Sequence, residues 1–380
     1  MTAPNWPTRL TALDVSRGLA ALSVVLWHWQ HFAFSAGQLP LGFDRQTQPL
    51  YPVLKLFYEH GDMAVDYFFI LSGFIFHWLY GASVAAGTMT VGRFFAQRFS
   101  RLYPLHLLTL VLVAVLQDGY RTREGEPFVN LANEPYQFLL HLFFASNWWP
   151  GERFSFNLPV WSVSVEVLLY AAFFMVALAR GGGWRWGLVI SLVAFLAYQV
   201  SGAFVARGMA LFFMGGVVFH FTVAVTNRGA RWAMGVFAGA SAAWVIVLVS
   251  TYVSNPIDGL SASGVPMYRL VPAFTGYILF PATICAIALL DVSRGGSLGA
   301  VSWIGDITYA TYLIHFPLQL AFAFAVSFGL LAPRFWLEPV YLVLFFALLV
   351  PAAWLTYRYF EMPAQRWLRQ RVSFKAPSPA

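Results

Sequence analysis

The stretch LTALDVSRGLAALSVVLWHWQH, residues 10–31, decides the fold class. It is long and apolar enough to cross a bilayer, which takes ~20 mostly apolar residues. It also carries Asp14, Arg17 and His28, groups that are costly in hydrocarbon. Nine more apolar stretches follow it. The ten segments run roughly over 12–33, 63–82, 101–117, 159–179, 186–201, 207–225, 232–253, 269–290, 303–326 and 339–358. The expected fold is therefore all-α, a polytopic membrane protein of about ten transmembrane helices embedded in a lipid bilayer.

Composition agrees. Of 380 residues, 59% are hydrophobic and only 10% are charged, and the mean hydropathy is +0.66. Soluble domains carry about 25% charged residues. This excludes an ordinary soluble enzyme, a disordered chain and a basic nucleic-acid-binding domain. The single cysteine, Cys285, lies in an apolar run, so no disulfide framework exists. Walker, HExxH and CxxC patterns are missing from the sequence, and no metal is expected.

The net charge of +7 bears on topology. Lys and Arg collect on the cytoplasmic side of membrane proteins. With the N-terminus inside, fourteen of the 23 Lys and Arg face the cytoplasm, and most acids fall outside. Both termini are therefore read as cytoplasmic. The segment from 366 to 380 is basic and proline-containing, and it is expected to be a disordered tail after a single domain over 1–365. Two outer loops are long, 34–62 and 118–158. The second holds Trp148 and Trp149 among other aromatics, and residues 135–146 suit a short interfacial helix. Its aromatics read either as a membrane-interface belt or as a sugar-stacking surface.

The charges inside the spans point to chemistry. Asp14 and Arg17 are three residues apart on a helix and can pair. Arg17 and His28 are eleven apart, so at ~100° per residue they share a face, ~16 Å apart along the axis. Such a face suits a polar cavity rather than lipid. In GDMAVDYFFILSGFIF, residues 61–76, Asp66 reads as a helix-terminus charge or as a cavity residue, and Ser72-Gly73 as a close-packing site. In RFFAQRFSRLYPLH, residues 93–106, Arg98 and Arg101 present their guanidinium forks to one side. They serve either as positive-inside anchors or as a phosphate site. Glu166 in WSVSVEVLLY lies ~10 Å from the outer end of its span, a depth similar to that of His28. Pairing with His28 would fix the histidine's tautomer. In SWIGDITYATYLIHFPL, Tyr309, Tyr312 and His315 share a helix flank ahead of Pro317.

These pieces, in this order, resemble the acyltransferase 3 family of integral membrane O-acyltransferases. The resemblance runs from Arg17-x10-His28 to RYFEMPAQRW, residues 358–367, across nearly the whole chain. It implies an acyltransferase that moves an acyl group, acetyl by default, from cytoplasmic acyl-CoA to a hydroxyl of an extracytoplasmic carbohydrate or similar acceptor. It implies His28 as the catalytic residue with Arg17 in the same cavity, and Arg98 and Arg101 near the phosphates of acyl-CoA; Glu166, by its depth, either pairs with His28 in catalysis or is held by Ser162 or a neighbouring helix. Asp14, Asp66, Tyr309, His315, Trp148 and Trp149 would line the cavity or hold substrate. The family commonly shows two consecutive acids in its fourth-span motif; here Glu166 is followed by Val167. A stand-alone member without a fused SGNH-type hydrolase domain is expected, in the bacterial inner membrane. The rival reading is a proton-coupled transporter or flippase using the same intramembrane charges.

Overall fold

A computed structural model describes residues 6–253, 267–296 and 298–371. The described chain is helical, with one isolated β-bridge between Ser35 and Gln38. Among the described residues, nine helical runs are long and apolar enough to cross a membrane. The chain is an integral membrane protein. The helices that matter here are α1 (Thr11–Trp27), α2 (Tyr51–His60), α3 (Ala64–Phe76), α4 (Val91–Glu124), α5 (Pro135–Leu142), α6 (Val160–Arg180) and α7 (Trp184–Ser201). They continue with α8 (Phe204–Arg228), α9 (Ala230–Tyr252), α10 (Met267–Phe274), α11 (Phe280–Arg294), α12 (Thr308–Ser327), α13 (Pro339–Thr356) and α14 (Met362–Arg371).

The first expected span ends differently from the reading. α1 has 17 residues, and a 3-10 helix, His28–Ala33, continues it. At ~1.5 and ~2.0 Å per residue the two together reach ~37 Å, enough for a hydrocarbon core of ~30 Å. The second expected span is the end of a longer run, Tyr51–Ala85, so α2 occupies part of the expected outer loop 34–62. The third begins ten residues earlier than expected. Thr90 caps α4, its hydroxyl accepting from Arg93 N at 3.3 Å, and nothing ends the helix before Gly125 at φ +87°. Its 34 residues rise ~51 Å, so Arg93, Arg98 and Arg101 sit on the helix and not in a loop. The tail also departs from expectation. A π turn, Tyr357–Glu361, leads into α14, and the chain is helical as far as Arg371. Residues 372–380 lie outside the described residues.

The chain forms two compact units. The first comprises Met1–His28, Leu50–Ala85 and Leu168–Asp306; the second comprises Trp29–Pro49, Ala86–Val167 and Ile307–Ala380. In the first unit, α3 and α8 pack backbone to backbone. A methyl group on Gly73 would fall on the Phe212 carbonyl, and one on Gly215 would fall on the Ile70 carbonyl. Only glycine permits that approach, which is how helices associate in lipid. Gly18 of α1 and Gly305 give the same closeness between α1 and the short helix Trp303–Asp306.

In the second unit, Leu110, Val113, Phe128, Phe156, Phe316 and Leu320 belong to one buried cluster. α12 runs through Pro317, which has no N–H and leaves the carbonyl of Leu313 without its helical donor. Asn157, fully buried, supplies the missing bond: its Nδ2 donates to Leu313 O at 3.0 Å.

Candidate active site

In the first unit the site is built on α1. The residue before α1 is Leu10, which offers no side-chain cap. Asp291 of α11 supplies one from outside the helix. It is fully buried and accepts from Ala12 N at 2.9 Å, Leu13 N at 3.2 Å and Thr11 Oγ1 at 3.3 Å. A carboxylate at a helix N-terminus satisfies orphan N–H groups and opposes the helix dipole.

Asp14 lies one turn further along. It takes the expected i,i+3 contact from Arg17, at 3.3 Å, and a shorter one from Arg9, at 2.6 Å. Arg9 also reaches Asp306 at 2.7 Å. Burial works against the Arg9 charge, but Asp14 and then Asp306 hold it, and its pKa lies above the ordinary value. Arg17 Nη2 donates to the Gly305 carbonyl at 2.6 Å. Two guanidiniums and two carboxylates thus form one network at this end of α1. His28 closes the other end. It is buried at the C-cap, with its ring edge-on to Trp27 at 5.0 Å.

Asp66 sits in the first turn of α3. Both its oxygens accept from Arg207 in the first turn of α8, at 2.7 and 2.9 Å. This bidentate pair ties α3 to α8. Arg207 stands at the first position of the span expected over 207–225; its partner lies 141 residues away, and no local pattern joins the two.

The second unit brings several other residues together. On α12, Tyr309 donates to Leu102 O of α4 at 2.8 Å, and Tyr312 OH lies 2.8 Å from Ser162 Oγ of α6. The charges of Glu166, Arg101 and Glu361 all act on Tyr309, and that of Glu166 also acts on Tyr312. His315 is fully buried, with His31 close enough to act on it electrostatically. His31 Nδ1 lies 3.0 Å from Gln319 Oε1. A carbonyl oxygen only accepts, so Nδ1 carries the proton and Nε2 is the acceptor. His28 belongs to the first unit and Glu166 to the second.

Arg98 and Arg101 are half-buried in the opening turns of α4. Between them Ser100, buried, accepts from Arg369 Nε of α14 at 3.3 Å. Arg369 escaped the sequence reading because its segment was taken for a disordered tail. His31 and Gln319 escaped it too; their signals were the i,i+3 spacing of His28 and His31 and the i,i+4 spacing of His315 and Gln319.

In the long loop, Trp148 Nε1 donates to Ser164 O at 2.9 Å, and Trp149 is exposed beside it. His106 Nε2 donates to His141 O at 2.8 Å, and His141 Nε2 meets Ser155 Oγ at 3.0 Å. Burial, and next the neighbouring His106, pushes the His141 imidazole down to about 3. Among the described residues no three His, Cys, Asp or Glu side chains gather as a metal site.

An acyltransferase domain family model matches residues 10–358, which include Asp14, Arg17, Asp291 and Asp306 around α1 and the opening turns of α4; Arg9 lies just before the matched range. The chain belongs to this acyltransferase family. Three relatives are similar to it. Protein 2 in the picA locus of Rhizobium radiobacter is 39% identical over 108 residues, 28% of this chain and 46% of that protein. Acyltransferase MdmB of Streptomyces mycarofaciens is 30% identical over 172 residues, 45% of this chain and 40% of that protein. Exopolysaccharide production protein ExoZ of Rhizobium meliloti (strain 1021) is 28% identical over 282 residues, 72% of this chain and 81% of that protein. The chain spans less than half the length of the first two. No solved structure matches it. Within the acyltransferase family match lie His28, Arg17, Glu166, Arg98 and Arg101; Arg369 lies beyond it.

Proposed function

We propose that this chain transfers an acyl group, acetyl by default, from cytoplasmic acyl-CoA to a hydroxyl of an extracytoplasmic glycan, with both termini in the cytoplasm. The observation that carries the reading is the register of α1: Arg17 and His28 fall within ~20° of one face, with His28 buried at the helix end. The family match and the similarity to an acyltransferase and an exopolysaccharide production protein support the reaction and the acceptor class.

The donor's phosphates fit Arg98 and Arg101. Arginine forks match phosphate bidentately, and helix-borne, half-buried guanidiniums lose less freedom in doing so. Arg369, against Ser100, adds a third cation there. Arg17 shares its helix face with His28 and is assigned to the reacting groups. His28, with Glu166 as its orienting carboxylate, takes the proton of the acceptor hydroxyl. The new acceptor C–O bond forms as the thioester C–S bond breaks, and the proton returns to the departing thiolate. In the other route His28 attacks the thioester first and carries the acyl group to the acceptor.

The test is His28→Ala, expressed at the wild-type level in the membrane. Mass spectrometry of the surface glycan should find the acyl group gone. Acylation that persists in those cells refutes the role of His28.

A further inference from the structure

The first unit contains a cavity of about 740 Å³ on the far side of α1. α1 lines it with Ser16, Leu19, Ala20, Leu22, Ser23 and Leu26. At ~100° per residue these positions centre ~150° away from Arg17 and His28. The cavity therefore lies behind the face on which the reaction is placed, and its contents are neither donor nor acceptor.

Its walls select for hydrocarbon. Among the described residues that line it, none is Lys, Arg, Asp or Glu. Five hydroxyls in the wall are hydrogen-bonded within the protein. Ser16 and Ser23 bond to the carbonyls of Leu13 and Leu19 at 2.8 and 2.9 Å. Thr251, Thr275 and Thr283 bond to Val247, Val271 and Leu279, and Thr283 also accepts from Trp244 Nε1. Water needs two to four polar partners in a cavity, and these five hydroxyls already spend their protons on backbone carbonyls. Left empty, the walls would forgo their dispersion contacts. The most exposed of the described lining residues are Leu19 of α1, 55% exposed, and Ile246 of α9, 57% exposed, and they mark its mouth. In an integral membrane protein such a mouth opens onto the acyl chains of the bilayer.

We propose that this cavity is a binding site for one acyl chain of a bilayer phospholipid, which enters between α1 and α9 and packs against the back of α1. Apart from His60, the described wall offers only apolar groups, backbone and hydroxyls, which favours the chain over the headgroup, so the occupant is the phospholipid that surrounds the protein.

The test is native mass spectrometry of the full chain released from mild detergent. Wild type should retain one phospholipid. Ala20→Trp should lower retention roughly tenfold, the effect of excluding about two methylenes. Val343→Trp, on the exposed side of α13, should leave it unchanged. A wild type without phospholipid, a polyprenyl lipid in its place, or equal retention in Ala20→Trp would overturn the site. A second measurement needs no variant. In nanodiscs of phosphatidylcholine carrying a mid-chain diazirine, illumination should label the half-buried Leu22 and Ser23. Labelling confined to exposed residues such as Leu19 and Ile246 would overturn it equally.

Discussion

Replacing Asn157 by Leu should expose how α12 tolerates a proline in its middle. Asn157 is fully buried, and its Nδ2 donates to Leu313 O at 3.0 Å. The helix cannot make that bond, because residue 317 is proline. Leucine is similar in volume, so packing is roughly kept and the loss is the hydrogen bond. In membrane proteins interhelical hydrogen bonds average ~0.6 and reach ~1.7 kcal/mol. The average is low because the broken partner usually finds another. Leu313 O has no N–H at i+4 to turn to, so the cost should lie near the upper end, about 1.5 kcal/mol. The double variant tests this. Pro317→Ala restores an N–H to the helix, and Asn157→Leu should then cost about 0.5 kcal/mol, a coupling of about 1 kcal/mol. The assay is reversible unfolding in detergent micelles across the four proteins of the cycle. A coupling below about 0.3 kcal/mol, within the error of independent sites, would refute the argument.

Two further outcomes are expected. Asp66→Asn should leave Arg207 buried with one neutral partner, which in comparable buried pairs costs about 3–5 kcal/mol, read as a fall in the folded fraction after extraction. His141 should make the protein acid-sensitive: its imidazole sits at about 3 in the folded chain, below the ordinary 6.5, so the unfolded chain takes up the proton first. Stability from this group is then complete above pH ~6.5 and falls as the pH drops towards 3, and His141→Gln should flatten the dependence of Tm on pH across that window.

The membrane fold is legible because it rests on local composition: each span must bury its own backbone in lipid, and only long apolar helices do so. Charge inside a span is legible for the same reason. The i,i+3 relation of Asp14 and Arg17 needs one helix and nothing else. Arg9 and Asp306, which complete that network, and Asp291, which caps α1, come from distant positions, and no spacing rule reaches them. Span ends were misplaced where capping overrode hydropathy. Thr90 starts α4 among polar residues, and the turn at 357–361 carries the helix past Pro363 into arginines that hydropathy alone assigns to a tail. The cost of that error was Arg369, which packs on the opening turns of α4 through Ser100.

Asp14 and Arg17 can be separated as actors by one comparison. Asp14 is shared by two guanidiniums, 2.6 Å from Arg9 and 3.3 Å from Arg17, and Arg9 is nearly half exposed. Solvent screens such a pair, so Asp14→Asn should cost only about 1 kcal/mol of stability. Arg17 would keep its other anchor, the Gly305 carbonyl at 2.6 Å, and would stay in place. If the guanidinium is the group that serves the reaction, loosening it by about 1 kcal/mol lowers turnover about fivefold. Arg17→Gln removes the charge itself and should lower turnover far more, at an equal level of protein in the membrane. The reverse order, Asp14→Asn abolishing turnover while Arg17→Gln retains it, would mean that the carboxylate acts and that the arginine only neutralises it.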